Sequence, residues 1–492
     1  MEKSVMNRQV KKQAFNPYLP NYEYVPDGEP YVFGRRIYVY GSHDKFNGDK
    51  FCPGDYVCWS APITDLGDWK YEGVIYRKTQ DPKNKNGASN LNAPDVQLGP
   101  DERYYLYYVA SRLTVISVAV SDHPEGPFEF YGYVRYSDGV LYGEKRTDAY
   151  NFDPAVFMDE DESIWLYSGF APKKGMLRTI MGMRGKLDGA YGMELEKDML
   201  TIKGKPRVVA PGPLISPGTD FEGHAFYEAS SMRKIQGKYY FVYSSELSHE
   251  LCYALGESPL GPFRYGGTLI SIGDIGLNGN TETKNYLGNT HGGMVKIQNQ
   301  WYIFYHRQTN RQKCCRQGCA EKITILPNGL IPQAEMTSCG LNQVPLVGTG
   351  CYEARIACHL MSDKGACFYK KTHEKDKQEI HPYFTQSGED REEIGDQYIA
   401  NMKDGSMAGY KYFSFWFPVR IAVTVRGKGS GIMEVRTEPA GNPVAEITLS
   451  DSESWNKFSA NTVAALEGTQ ALYFTYRGTG TFDFKNFILE TE

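Results

Sequence analysis

One phrase recurs five times along this chain. An aromatic-rich stretch is followed, one short turn later, by a second. The copies run from Tyr31 to Tyr40, Val96 to Tyr108, Val156 to Tyr167, Met232 to Tyr243 and Met294 to Tyr305. Their second stretches open at Ile37, Tyr104, Ile164, Tyr239 and Trp301, roughly 60 to 75 residues apart. A period of that size with several strands per unit means a radial array of four-stranded blades, a five-bladed β-propeller. A second motif keeps step with the first. Ser60 to Gly73, Ser121 to Gly132 and Ser258 to Gly267 each place Ser, Pro and Gly before an aromatic and a closing Tyr and Gly. Pro and Gly mark a turn there, and the aromatics suit a short outer strand.

The repeat also aligns what precedes each hairpin. About ten residues before the five anchors stand Asp27, Asp95, Asp153, Glu228 and His291. Equivalent positions of a radial array converge near its axis, so these ionisable groups are expected to meet there. The net charge of −5 on a mixed surface gives no reason to expect nucleic acid or an anionic membrane as a partner. No run of 18 apolar residues is present, so no membrane span is expected. The 37 Tyr and 6 Trp offer flat apolar faces with a polar edge, which suit sugar rings, although most are expected to fill the blades. The first twenty residues have no apolar signal region. The expectation is a cytoplasmic protein as given, or a secreted or periplasmic one from which a signal was removed. Cys314, Cys315 and Cys319 cluster without paired zinc-ligand spacing and read as reduced thiols.

Beyond the fifth copy the pattern changes. The last blade is expected to close through Ala320 to Pro332, and Gln333 to Val347 reads as an irregular join. Then come short alternating stretches separated by Gly- and Ser-rich turns: Phe413 to Val425, Ile432 to Thr437, Val444 to Leu449, Ala471 to Tyr476 and Phe482 to Leu489. They suggest a β-sandwich with jelly-roll character. The expected fold is all-β, with a propeller over residues 1–340 and a sandwich over 350–492. Lys370 to Glu393 reads as a polar loop excursion. With no long flexible linker at the join, the sandwich is expected to dock firmly and to contribute little to the chemistry.

Glycosidic bonds are hydrolysed by two carboxyl groups in different protonation states, and a third carboxylate can hold the acid's proton by like-charge repulsion. Blade-equivalent carboxylates supply such a set. On four of its motifs, over about residues 16 to 335, the chain resembles the family 43 glycoside hydrolases, five-bladed propellers acting on β-xylosides and α-L-arabinofuranosides. The run NPYLPNYEYVPDGEPYVFGRRIYVYGSHD resembles the first blade, which implies Asp27 as general base. NFDPAVFMDEDESIWLY resembles the third, which implies that Asp153 tunes the acid's pKa and orients substrate. FYEASSMRKIQGKYYFVYSS resembles the fourth, which implies Glu228 as general acid. NTHGGMVKIQNQWYIFYH resembles the fifth, which implies that His291 sits on the axis near a bound ion and leaves room for a structural calcium.

The resemblance further implies that Asp95 lines the sugar pocket, that Arg316 hydrogen-bonds sugar hydroxyls, and that the reaction inverts with no cofactor. The residues alone leave other roles open: a turn carboxylate for Asp95, a blade salt bridge for Arg316, a structural histidine for His291. Glu29 competes with Asp27, and Glu222 with Glu228. Register favours Glu228, because Glu222 lies about 17 residues before Tyr239, outside the window of the other four. Asp404 to Gly427 and Ser452 to Glu490 resemble family 6 carbohydrate-binding modules, where Tyr410, Trp416 and Trp455 either stack on sugar or pack inside. The expected function is release of terminal α-L-arabinofuranose or β-D-xylose from plant polysaccharide fragments. Two alternatives stand beside it: a non-catalytic carbohydrate-binding propeller, and a hydrolase of another glycoside such as a galactoside.

Overall fold

A computed structural model describes residues 13–172, 183–367, 379–390, 395–416, 419–463 and 466–491. The chain start and half of Lys370 to Glu393 lie outside the described residues, although Tyr383–Thr385 within that stretch forms a short strand. Five antiparallel sheets follow one another in sequence order. Blade I holds β1 (Glu29–Phe33), β2 (Arg36–Tyr40), β3 (Tyr56–Pro62) and β4 (Lys70–Tyr76). Blade II holds β5 (Asp95–Leu98), β6 (Tyr104–Tyr108), β7 (Ser117–Ser121) and β8 (Glu129–Tyr133). Blade III holds β9 (Ala155–Met158), β10 (Ile164–Gly169), β11 (Gly189–Leu195) and β12 (Ile202–Pro211). Blade IV holds β13 (Phe226–Ile235), β14 (Lys238–Ser245), β15 (Glu250–Gly256) and β16 (Arg264–Ser271). Blade V holds β17 (Met294–Ile297), β18 (Gln300–Thr309) and β19 (Gln312–Ile323).

Blade V therefore has three strands among the described residues, where four were expected. Its last strand ends at Ile323, because Pro327, Asn328 and Gly329 close a turn instead of extending a ladder.

The aromatic strands follow from what a blade must bury. Successive side chains of a strand point to opposite faces, and each blade has a neighbour on both faces. In β6, Tyr105 and Tyr107 enter the core shared with blade III, while Leu106 and Tyr108 enter the core shared with blade I. In β14, Phe241 and Tyr243 face blade III, and Tyr240 and Val242 face blade V. Such strands read as continuous aromatic runs because neither face meets water. Each buried phenol needs an acceptor. Tyr40 donates to Pro124 O (2.6 Å), Tyr167 to Pro259 O (2.8 Å) and Tyr240 to Gly329 O (2.8 Å). The first two of these bonds cross from one blade to the next.

The C-terminal domain is a ten-stranded sheet that curls around its own core, with Tyr410, Phe413, Phe474 and Phe487 fully buried. Its centre is one pair of long antiparallel strands, Val419–Arg436 against the end of Gly468–Thr491. The sequence reading broke the first of these in two at its glycines. Those glycines permit close strand approach: a Cβ on Gly427, Gly429 or Gly431 would stand 2.1 Å from a facing carbonyl oxygen. Of the aromatics singled out, Tyr410 is core and Trp455 packs beneath the Arg426 guanidinium at 4.4 Å, while Trp416 is 70% exposed. All ten cysteines are free, and Cys314, Cys315 and Cys319 are buried on β19.

A buried ionic cluster joins the two domains. Asp274, after blade IV, accepts from His359 Nε2 (2.8 Å) and Met336 N (2.9 Å), and lies 3.4 Å from Lys411 Nζ. Lys411 also donates to Glu335 (2.8 Å). Removing one member of such a cluster leaves the others buried and unpaired. Asp274→Ala is expected to cost about 3–5 kcal/mol, seen as a lower unfolding temperature of the C-terminal domain by calorimetry.

Candidate active site

Asp27 and Asp153 stand at the entries to β1 and β9, both in the left-handed region, at φ 58° and 43°. Few non-glycine residues adopt that conformation, and Asp does so at lower cost than most. In both blades the turn aims a carboxylate at the axis instead of along the strand. Glu228 gets its direction differently. The β13–β14 register shifts on either side of it, and Ala229 has φ 69°. A bulge of this kind re-aims one side chain out of the pleat.

The three carboxyls lie close enough to feel one another's charge. Ala229 N donates to Asp153 Oδ2 (3.1 Å), tying the backbone beside Glu228 to the third-blade carboxylate. His291 Nδ1 lies 3.4 Å from the same oxygen. On the other side, Asp27 Oδ1 takes Arg316 Nη1 at 2.8 Å and lies 3.3 Å from His306 Nδ1. All three carboxylates are nearly buried, at 4%, 4% and 9% exposure.

Their surroundings drive their protonation apart. Burial pushes Asp27 up, but the Arg316 guanidinium, then His306 and His291, overcome it and hold the group well below the carboxylate range. Burial and then the Asp153 charge lift Glu228 to about 8. Asp153 is itself raised by burial, with His291 opposing. His291 is lifted to about 9 against burial, chiefly by Asp153. Burial lowers His306 to about 4. The surroundings thus favour an ionised Asp27 and a protonated Glu228 at neutral pH.

One expected role changes and two narrow. Asp95 does not reach the pocket. Its Oδ1 accepts from Tyr31 Oη (2.6 Å) and Val96 N (2.8 Å), its Oδ2 from Val156 N (2.7 Å), so it pins blades I, II and III together. Arg316 is engaged mainly by carboxylates, with one Nη1 N–H left over. Nε and Nη2 bind Asp44 at 2.8 and 3.1 Å, and Nη1 binds Asp27. His291 stands on Asp153, and an imidazole beside one carboxylate that already accepts a backbone N–H supplies few of the six to eight oxygens calcium takes. The competitors also fall away. Glu29 is buried against Arg233 (2.9 Å), and Glu222 is exposed on a loop where it accepts from Gly218 N. Asp44, Cys52 and His306 complete the surroundings of Asp27 but were not singled out as site residues. Asp44 and Cys52 fall outside the repeated register, and only His306, at the end of a repeated hairpin, had a place in the pattern.

With that geometry in place, comparison gives a consistent answer. Residues 25–331 match the family model for glycosyl hydrolases family 43. The chain belongs to this family. It is 49% identical to a xylosidase/arabinosidase of Thermoclostridium stercorarium over 98% of this chain and all of that one. It is 30% identical to a xylosidase/arabinosidase of Bacteroides ovatus, over 59% of this chain and 87% of that one. In solved structures, both domains find a counterpart in a family 43 arabinoxylan arabinofuranohydrolase from Bacillus subtilis. There the TM-score is 0.51 at 19% identity, over 96% of this chain and 97% of that one. That likeness concerns the fold alone. The protein is a glycoside hydrolase of family 43, and its axial carboxyls are the place to look for its chemistry.

The placement of Asp95 has its own test. Asp95→Ala leaves two buried N–H groups and a phenol without an acceptor. It should lower stability by about 3 kcal/mol or more in chemical denaturation. KM for a small aryl pentoside, per folded molecule, should stay unchanged.

Proposed function

We propose that this protein is an inverting, exo-acting pentosidase that releases terminal β-D-xylose and α-L-arabinofuranose from plant polysaccharide fragments, with Asp27 as base, Glu228 as acid and Asp153 as the group that keeps the acid protonated. The observation that carries the reading is the contrast in surroundings: Asp27 is bound by Arg316 at 2.8 Å, while Glu228 is buried beside the Asp153 carboxylate. The relative of nearly equal length, named for both sugars, supports the dual substrate.

In this reading Asp27, ionised, takes a proton from a water as that water attacks the anomeric carbon. Glu228 gives its proton to the departing glycosidic oxygen as the C–O bond breaks. The attacking oxygen ends on the face opposite the leaving group, which inverts the centre. Inversion needs space for the water, so the two carboxyls should stand roughly 6.5–9.5 Å apart in a substrate complex. Asp153 supplies the negative charge that makes loss of the Glu228 proton costly. These groups and the water complete the reaction without a cofactor.

Two outcomes are expected. Asp27→Asn abolishes turnover of every substrate, because no leaving group replaces an activated water. Glu228→Gln retains much of its rate on aryl pentosides with good leaving groups, whose oxygen needs no proton. Equal losses for both variants, whatever the leaving group, would reject the assignment. The pH profile should fall on its alkaline side near 8, because Glu228 must hold its proton and loses it as pH rises through that value. In Glu228→Gln that limb should vanish for activated substrates.

A further inference from the structure

We propose that the loop over residues 43–54 of blade I is a clamp that fixes Arg316 on Asp27, and that the C-terminal domain holds the clamp in place through Asp390. Asp44 and Asp390 are then positioning residues, one direct and one remote. The proposal rests on Asp27 being the base.

The direct half is a matter of fork geometry. A guanidinium presents its donors in a fixed plane. Asp44 takes Nε and Nη2 and also accepts from Arg316 N at 3.2 Å, which leaves Nη1 facing Asp27. Asp44 is held in turn: its Oδ1 accepts from Cys52 N (3.0 Å), and its own N–H donates to Tyr24 O (3.0 Å). The loop then covers the guanidinium. Phe51 lies over it at 4.9 Å from ring centre to Cζ, and Cys52 Sγ is 3.3 Å from Nη2. Arg316 is left 2% exposed and Asp44 1%.

The remote half crosses between domains. The loop has no strand of its own, and Phe46 N donates to Asp390 Oδ1 at 2.7 Å. Tyr24, which carries the Asp44 N–H, donates to Gln386 Oε1 (2.6 Å). The same C-terminal stretch reaches the turn that leads into the Arg316 strand. Asn310 N donates to Phe384 O (2.7 Å), and Thr385 Oγ1 donates to Asn310 Oδ1 (2.9 Å). Residues 384–390 thus hold blade I's loop and blade V's turn together. Loss of that hold frees the guanidinium to leave Asp27. Burial then acts unopposed by its strongest partner, and the base's pKa rises. The other titratable groups facing Asp27 are His306 from blade V, His291 before it, and Asp153 and Glu228 across the axis. Cys52 and Asp44 face it from the loop itself. The remote substitution touches none of them.

The test uses the full chain: wild type, Asp390→Ala, Asp390→Asn, Asp44→Asn and Asp27→Asn, with kcat and KM for an aryl β-xyloside across pH and the melting temperature of each. Asp390→Ala should lower kcat about tenfold, leave KM within about twofold, and move the acid limb up by about one pH unit. Asp390→Asn should restore all three, because an amide oxygen still accepts from Phe46 N. Asp44→Asn should move the limb in the same direction with a loss of about a hundredfold or more. An unmoved acid limb and unchanged kcat in folded Asp390→Ala would overturn the proposal. So would Asp390→Asn as impaired as Asp390→Ala. If Asp390→Ala does not fold, Tyr24→Phe, which deletes the hydroxyl that donates to Gln386 and accepts from Gln397, carries the same expectation at smaller size. An active Asp27→Asn would instead remove the base assignment, and the clamp with it.

Discussion

One guanidinium shared by two buried carboxylates sets the conditions for everything around it. Arg316 is enclosed between Asp27 and Asp44, so its charge is screened by neither water nor salt. That charge lets Asp27 stay ionised in a site whose burial would otherwise protonate it. The same burial, without such a partner, leaves Glu228 protonated. The site thus obtains opposite protonation states from residues of one chemical kind by giving one of them a cation and the other a like charge. His291, held on Asp153, keeps the third carboxylate from raising its neighbours without limit.

The propeller serves this arrangement through rigidity. Its five inter-blade cores are built from tyrosines and aliphatic residues, and several phenols hydrogen-bond across a blade boundary. Blade-to-blade slippage would break such bonds as well as packing. The left-handed turns at Asp27 and Asp153 store backbone strain that only a well-determined scaffold can hold. A second ionic group ties the inner strands: Arg233 of blade IV binds Glu29 of blade I (2.9 Å), donates to Met294 O of blade V (2.7 Å) and lies over the Tyr31 ring.

The sequence was most informative where the structure repeats. Hairpin anchors located all five blades, and second strands begin within one residue of the expected positions. The shared offset from those anchors singled out Asp27, Asp153 and Glu228. It also brought in Asp95, because offset from an anchor says which turn a residue occupies and not whether its oxygens are already taken by backbone N–H groups. Asp44, Cys52 and the Asp274–Lys411 cluster went unnoticed for the opposite reason. Their partners lie far away in sequence, as with Asp44 and Arg316, which are separated by 272 positions. Nothing local in the chain marks such a pair. The long C-terminal strands were cut short because glycine signals a turn more often than it signals close strand approach.

The ring is closed without a shared sheet. Blade V stays three-stranded, and the seam to blade I is packed by Tyr18, Val39, Trp59, Phe304 and Ala320. Asp27 stands on one lip of that seam and its guanidinium partner on the other. A nascent chain therefore carries all three carboxyls long before they can act together, since Arg316 must first be made and the circle drawn shut. Catalytic competence arrives late in biosynthesis, and turnover is a measure of whether the circle has closed.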